Sequence, residues 1–157
     1  MGAMDDDRFL DPIEARKKAM DYLARREHGR GELLDKLTRF GFDADIADEA
    51  VTRLAEDGLQ SDTRFAEAFV RSRINQGKGP VRIRAELRER GLGASAIDIA
   101  LEEADEDWYA LAVDVRLKKF GPNTPSEFRN KAKQMRFLQS RGFEPDQIQA
   151  AVSAIFE

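Results

Sequence analysis

The sequence contains no cysteine, and a single histidine, His28, and a single tryptophan, Trp108. Without cysteine there is no disulfide, thiolate nucleophile or cysteine-ligated metal. Histidine is the usual general base and metal ligand near neutral pH, so one residue leaves room for no familiar zinc site and no Ser/His/Asp enzyme not built on it. His28 precedes Gly29 where a helix should break, and is expected to cap a helix or lie on the surface. No apolar run approaches the roughly 18 residues that cross a bilayer. No segment alternates apolar and polar residues as a half-buried strand does. The opening Met1-Gly2-Ala3-Met4-Asp5-Asp6-Asp7 lacks signal-peptide order, and Gly2-Ala3 reads as a tag scar ahead of a natural start at Met4. The expectation is a cytoplasmic protein with no cofactor, no metal and no catalytic residue.

Charge is abundant, at 36% of residues. The net charge of −4 conceals segregation: residues 1–63 carry −6, 64–92 carry +5, 93–115 carry −7, 116–141 carry +7 and 142–157 carry −3. Two basic blocks thus alternate with acidic ones, which a uniformly solvated surface does not require.

A repeat organises the chain. Leu37-x-x-x-Gly41-Phe42, Leu87-x-x-x-Gly91-Leu92 and Leu138-x-x-x-Gly142-Phe143 share one pattern. It continues as Ala47-x-x-Ala50-Val51, Ile97-x-x-Ala100-Leu101 and Ile148-x-x-Ala151-Val152. A glycine at this place ends a helix in the left-handed conformation, and the apolar residue after it packs back on the leucine. The expectation is all-α: three tandem three-helix repeats of about 50 residues, stacked because such units bury little core alone, as an elongated curved array. Residues 1–10 would be scar and tail, 11–59 the first repeat, 60–104 the second and 105–157 the third. Helices are expected near 12–27, 30–40, 45–57, 62–76, 80–90, 95–104, 105–120, 125–141 and 145–156. Asp11-Pro12, Thr124-Pro125 and Glu144-Pro145 read as N-caps followed by proline, and Ser95-x-x-Asp98 as a capping box. The acidic stretch from Glu102 to Asp107 is either a joint or a continuous solvated helix.

The candidate binding residues are cations. Arg64, Arg71 and Arg73 lie on the first helix of the second repeat, and Lys78 follows in Gly77-Lys78-Gly79-Pro80, whose glycines would let a partner approach. Arg84 and Arg88 share a flank beside the Ile83–Leu87 stripe, whereas Arg82 faces Glu86 and Glu89 and is expected to be spent on them. Lys118 and Lys119 end a helix. Arg129, Lys133 and Arg136 form an acid-free stripe beside a core face of Phe128, Ala132 and Met135. One such cation contributes only solubility or about 0.3–1 kcal/mol against a helix dipole. A row of them suits contact with phosphate or carboxylate. The glycines make no phosphate loop, because no strand precedes them and no Gly-Lys-Ser/Thr closes them. Trp108 and Tyr109 read as packing residues.

Three segments taken together resemble the RecX family: Ala19-x-x-Tyr22-Leu23-Ala24-Arg25-Arg26-Glu27-His28, Gly58-Leu59-Gln60-Ser61-Asp62-Thr63-Arg64-Phe65-Ala66, and Gly77-Lys78-Gly79-Pro80-x-x-Ile83-x-x-Glu86-Leu87-x-x-x-Gly91. The resemblance implies a non-enzymatic regulator that binds the RecA filament on single-stranded DNA; a monomer is expected separately, because no long exposed apolar stripe demands a dimer. It would inhibit ATP hydrolysis, strand exchange and coprotease activity, with weak direct contact to DNA and none to membrane. It supplies no ligand list, so the cations above rest on their own pattern. A second reading is a helix-turn-helix transcriptional regulator, but the helices after the glycines are acidic or neutral and suit a DNA groove badly. A third is a helical adaptor without nucleic acid, whose binding would be insensitive to salt.

Overall fold

The structure, a computed structural model, describes residues 7–154. Among the described residues there are nine principal α-helices and no strand: α1 (Pro12–Arg25), α2 (Arg30–Phe40), α3 (Ala44–Glu56), α4 (Asp62–Asn75), α5 (Pro80–Glu89), α6 (Ala94–Ala104), α7 (Trp108–Phe120), α8 (Phe128–Arg141) and α9 (Pro145–Ser153). Extended helix packing occurs within the triplets α1–α3, α4–α6 and α7–α9. Each triplet encloses its own apolar cluster, centred on Leu33, Leu37 and Val51, on Ile83, Leu87 and Ile97, and on Leu138, Phe143 and Val152. The all-α tandem repeat read from the sequence is the observed architecture.

The glycine motif does what its chemistry requires. Gly41, Gly91 and Gly142 all have positive φ. The next residue's amide donates back to the leucine carbonyl: Phe42 to Leu37 at 3.1 Å, Leu92 to Leu87 and Phe143 to Leu138 both at 3.2 Å. Those six apolar side chains are buried, so the turn that stops the second helix also seals the core.

Several local expectations are corrected. The cap at Thr124-Pro125 does not form: α8 begins at Phe128 after Glu127, and the Thr124 hydroxyl donates instead to the Ala154 carbonyl. Of the expected core face, Phe128 is 88% exposed and Ala132 and Met135 only half-buried; α8 is anchored instead by Leu138 and by Gln134, which accepts from buried Arg116. Ser95-x-x-Asp98 makes no box, since α6 starts after Gly93 and Asp98 pairs with Arg84. The acidic stretch is a break: Asp105 is left-handed at φ 48° and the Asp107 side chain caps α7. Trp108 does pack on the second core.

His28 is buried rather than a surface residue. Its Nδ1 lies 3.0 Å from the Arg26 carbonyl and its Nε2 2.9 Å from Lys36 Nζ. Burial lowers its pKa despite the Arg26 backbone bond, and adjacent Arg26 and Lys36 lower it further. Burial lowers Lys36 too, with Arg26 adding to it. For Glu32 burial acts upward, but the Arg26 guanidinium 2.7 Å away overrides it and holds the carboxyl below its usual range.

Candidate filament-binding junction

The second helices of neighbouring repeats meet end to end. Gly31 at the start of α2 faces the Arg90 carbonyl that ends α5, where an added Cβ would stand 3.3 Å from the oxygen, a tight contact. Gly79 and Pro80 at the start of α5 abut the end of α8 much more tightly. The Gly79 amide donates to the Arg141 carbonyl at 2.8 Å, and the Val81 amide to Gly142 at 2.9 Å. A Cβ on Gly79 would stand 2.6 Å from the Phe143 nitrogen and closer still to the Gly142 carbonyl. The glycines around Lys78 therefore admit a close approach, as expected, but the approaching backbone is the chain's own third repeat.

That contact concentrates charge. Arg73 lies 3.2 Å and Arg82 4.0 Å from the same Glu86 carboxylate. Lys78, half-buried beside them, has its pKa lowered by burial and by Arg141, Arg82 and Arg73, with Glu86 alone opposing. On the adjoining groove wall, Lys119 and Arg141 lie 5.5 and 5.2 Å from the Phe137 ring centroid, and Lys118 pairs with Asp114 at 3.1 Å. Six cations thus gather around two carboxylates. Burial is the larger cause of the Lys78 shift, and the three arginines add to it; an arriving anion would relieve that added repulsion. At the first junction Arg64 pairs with Glu27 at 3.0 Å and donates to the Gly58 carbonyl, and Arg26 pairs with Glu32, in a cleft that Arg73 and Arg90 also line.

The candidate cations therefore separate into groups. Arg73, Lys78, Lys118 and Lys119 converge on the second junction. Arg129, Lys133 and Arg136 are exposed along α8, whose last turn carries Arg141 into that junction. Arg64 serves the first junction, Arg84 is paired with Asp98, and Arg71 lies in a cleft with Glu67, Glu103 and Glu106. Arg88 is exposed on α5. Sequence reasoning missed Arg82 and Arg141. Arg82 does reach Glu86, but its backbone and the Ser140 carbonyl 3.4 Å from its guanidinium place it against the third repeat. Arg141 looks like an ordinary last-turn cation until α8 meets α5.

Among the described residues no group of carboxylates and histidine is arranged to hold a metal ion, and no helix is long and apolar enough to cross a membrane.

Three family models match successive parts of the chain: the first three-helix domain of RecX over residues 15–54, the second over 61–101 and the third over 105–152. Regulatory protein RecX of Halorhodospira halophila is 49% identical over 142 residues, covering 90% of this chain and 88% of its own. That of Pseudomonas entomophila is 47% identical over 137 residues, covering 87% and 88%. A crystal structure of regulatory protein RecX superposes with a TM-score of 0.76 at 27% identity, over 91% of this chain and 72% of the other.

Proposed function

This chain belongs to the RecX family of regulatory proteins, and from that premise we propose that it binds the RecA filament on single-stranded DNA and inhibits RecA's ATPase, strand-exchange and coprotease activities, acting as a monomer in the cytoplasm without bond chemistry of its own. The observation that carries the reading is the second junction, where Arg73, Lys78, Arg82, Lys118, Lys119 and Arg141 share two carboxylates. A nucleoprotein polymer offers that cluster phosphates and carboxylates together. The acidic faces of α3 and α6 would be repelled by bare DNA, yet can face a protein surface. They also argue against a groove-reading regulator, because the helices after each glycine expose Asp45, Asp48 and Glu49, then Asp98 and Glu102.

The test is co-sedimentation with RecA, with and without single-stranded DNA and nucleotide, beside DNA-dependent ATP hydrolysis. The expected result is recruitment to the filament and suppression of turnover at substoichiometric protein. RecA turnover unchanged at equimolar protein refutes the reading. Recruitment that does not weaken with added salt would favour an adaptor without nucleic acid.

A further inference from the structure

Helices α8 and α9 flank a groove of about 810 Å³, toward the upper end of the roughly 300–1,000 Å³ of ligand clefts. Ala132, Met135 and Ile148 supply its apolar lining, Phe128 stands at one end, and Lys131 and Arg136 border it with Asp146 as the acid. A phenylalanine 88% exposed on a helix, beside a half-buried methionine, is a large apolar surface left in water.

The first two repeats treat this place differently. Asp48 and Asp98 hold the positions that Gln149 holds in α9. Each receives an arginine from its own second helix, Arg30 at 3.7 Å and Arg84. Where α5 has Arg84, α8 has Met135, and where α2 has Arg30, α8 has Lys131. With Gln149 in place of the aspartate, no ion pair crosses the third groove among the described residues, and it stays open with a cation unpaired across it.

Repeats join where the start of one second helix meets the end of the next, and among the described residues the start of α8 meets no such end. At the opposite end, the turn after α2 is already covered: the Phe9 carbonyl accepts from the Asp43 amide at 3.1 Å, and the Phe9 ring leaves no room for a Cβ on Gly41. A second copy therefore cannot extend the array by presenting that turn. The charge around the groove selects among other occupants, since Lys131 and Arg136 border it against the single carboxylate of Asp146.

We propose that the α8–α9 groove seats an acidic amphipathic helix of a protein partner, which inserts a bulky apolar side chain between Phe128 and Met135. This is helix-in-groove recognition, with the apolar anchor giving affinity and the cationic border choosing an acidic segment. That the partner is RecA rests on the function proposed above; the chemistry of the groove does not.

The experiment uses the full chain and a fluorescein-labelled helical peptide with leucine and phenylalanine one turn apart and glutamate elsewhere, beside its lysine-for-glutamate counterpart. Fluorescence anisotropy should show binding of the acidic peptide and not of the basic one. Met135→Glu should weaken binding about tenfold or more, as should Phe128→Ser, which changes an exposed side chain and leaves the fold intact. Lys17→Glu, exposed on α1 and outside both sites, should leave it unchanged. Equal affinity for both peptides, no binding of the acidic one, or undiminished binding by both groove variants overturns the proposal; so does a wild-type dimer in sedimentation equilibrium that Phe128→Ser dissolves. Co-sedimentation of the wild type with RecA filaments reports separately on the function. Peptide binding without filament binding refutes only the RecA reading.

Discussion

Replacing Gly79 by alanine tests whether the second and third repeats are held in one fixed register. Its φ of −88° is open to any residue, so backbone strain contributes nothing. What opposes alanine is the Gly142 peptide, with Phe143 N 2.6 Å from the new methyl. Backbone cannot swing aside as a side-chain tip can, so α5 and α8 must separate. Separation breaks the Gly79–Arg141 and Val81–Gly142 hydrogen bonds, at 2.8 and 2.9 Å, each contributing about 0.5–1.5 kcal/mol. Alanine is also a poorer N-cap than glycine, by about 1 kcal/mol. The expected loss is about 2–4 kcal/mol. Gly91→Ala is the matched control: at φ 89°, with nothing within 4 Å of its Cβ, it meets only the left-handed penalty of about 1–2 kcal/mol. Urea unfolding followed by Trp108 fluorescence reports on this region, because Trp108 starts α7 and packs on the second core. The same variant should weaken filament recruitment, since Arg82 and Arg141 part as the repeats do. A Gly79→Ala protein within about 0.5 kcal/mol of wild type, with full recruitment, refutes the fixed junction.

Charge reversal at Lys133 and Arg136, both exposed, should weaken filament binding and flatten its salt dependence while leaving helical circular dichroism unchanged; unaltered affinity removes them from the site. Stability should fall as the pH drops below His28's ordinary value of 6.5: its folded pKa is lowered, so the unfolded chain takes up the proton first, and the stability present above that value is lost on acidification. Urea titrations at neutral and mildly acid pH check this, and His28→Gln should reduce the slope in that window. Glu32 acts separately at lower pH, its stabilisation fading as acidification passes its depressed pKa. Phe9→Ala should destabilise by about 1–3 kcal/mol, below the loss for a fully buried ring, because Phe9 is half-buried, packs edge-on against Phe42 at 5.3 Å and covers the Gly41 turn; calorimetry resolves that difference.

What could be read in advance was local. Leu87, Gly91 and Leu92 announce a helix end because the αL requirement and the apolar seal involve neighbours in sequence, and the same holds at the other two glycines. Phe128 does share a face with Ala132 and Met135, as periodicity requires, but that face opens on the groove, and the buried side of α8 is that of Gln134 and Leu138; a period gives which residues lie together, not which side meets the core. His28 was misjudged because its burial depends on Lys36 and on Gln60, whose side chain donates to the His28 carbonyl at 3.2 Å from the next repeat.

The sequence by itself determined the helical class, the threefold repeat and the segregation of charge, since each depends on short-range periodicity and chain composition. Only the tertiary structure decided which cations act together. Arg73, Lys78, Arg82 and Arg141 come from α4, the loop after it, α5 and α8, and their joint field exists because the Gly79 and Gly142 backbones close with no side chain between them. Electrostatic potential falls with distance in space, and a linear sequence does not carry that distance.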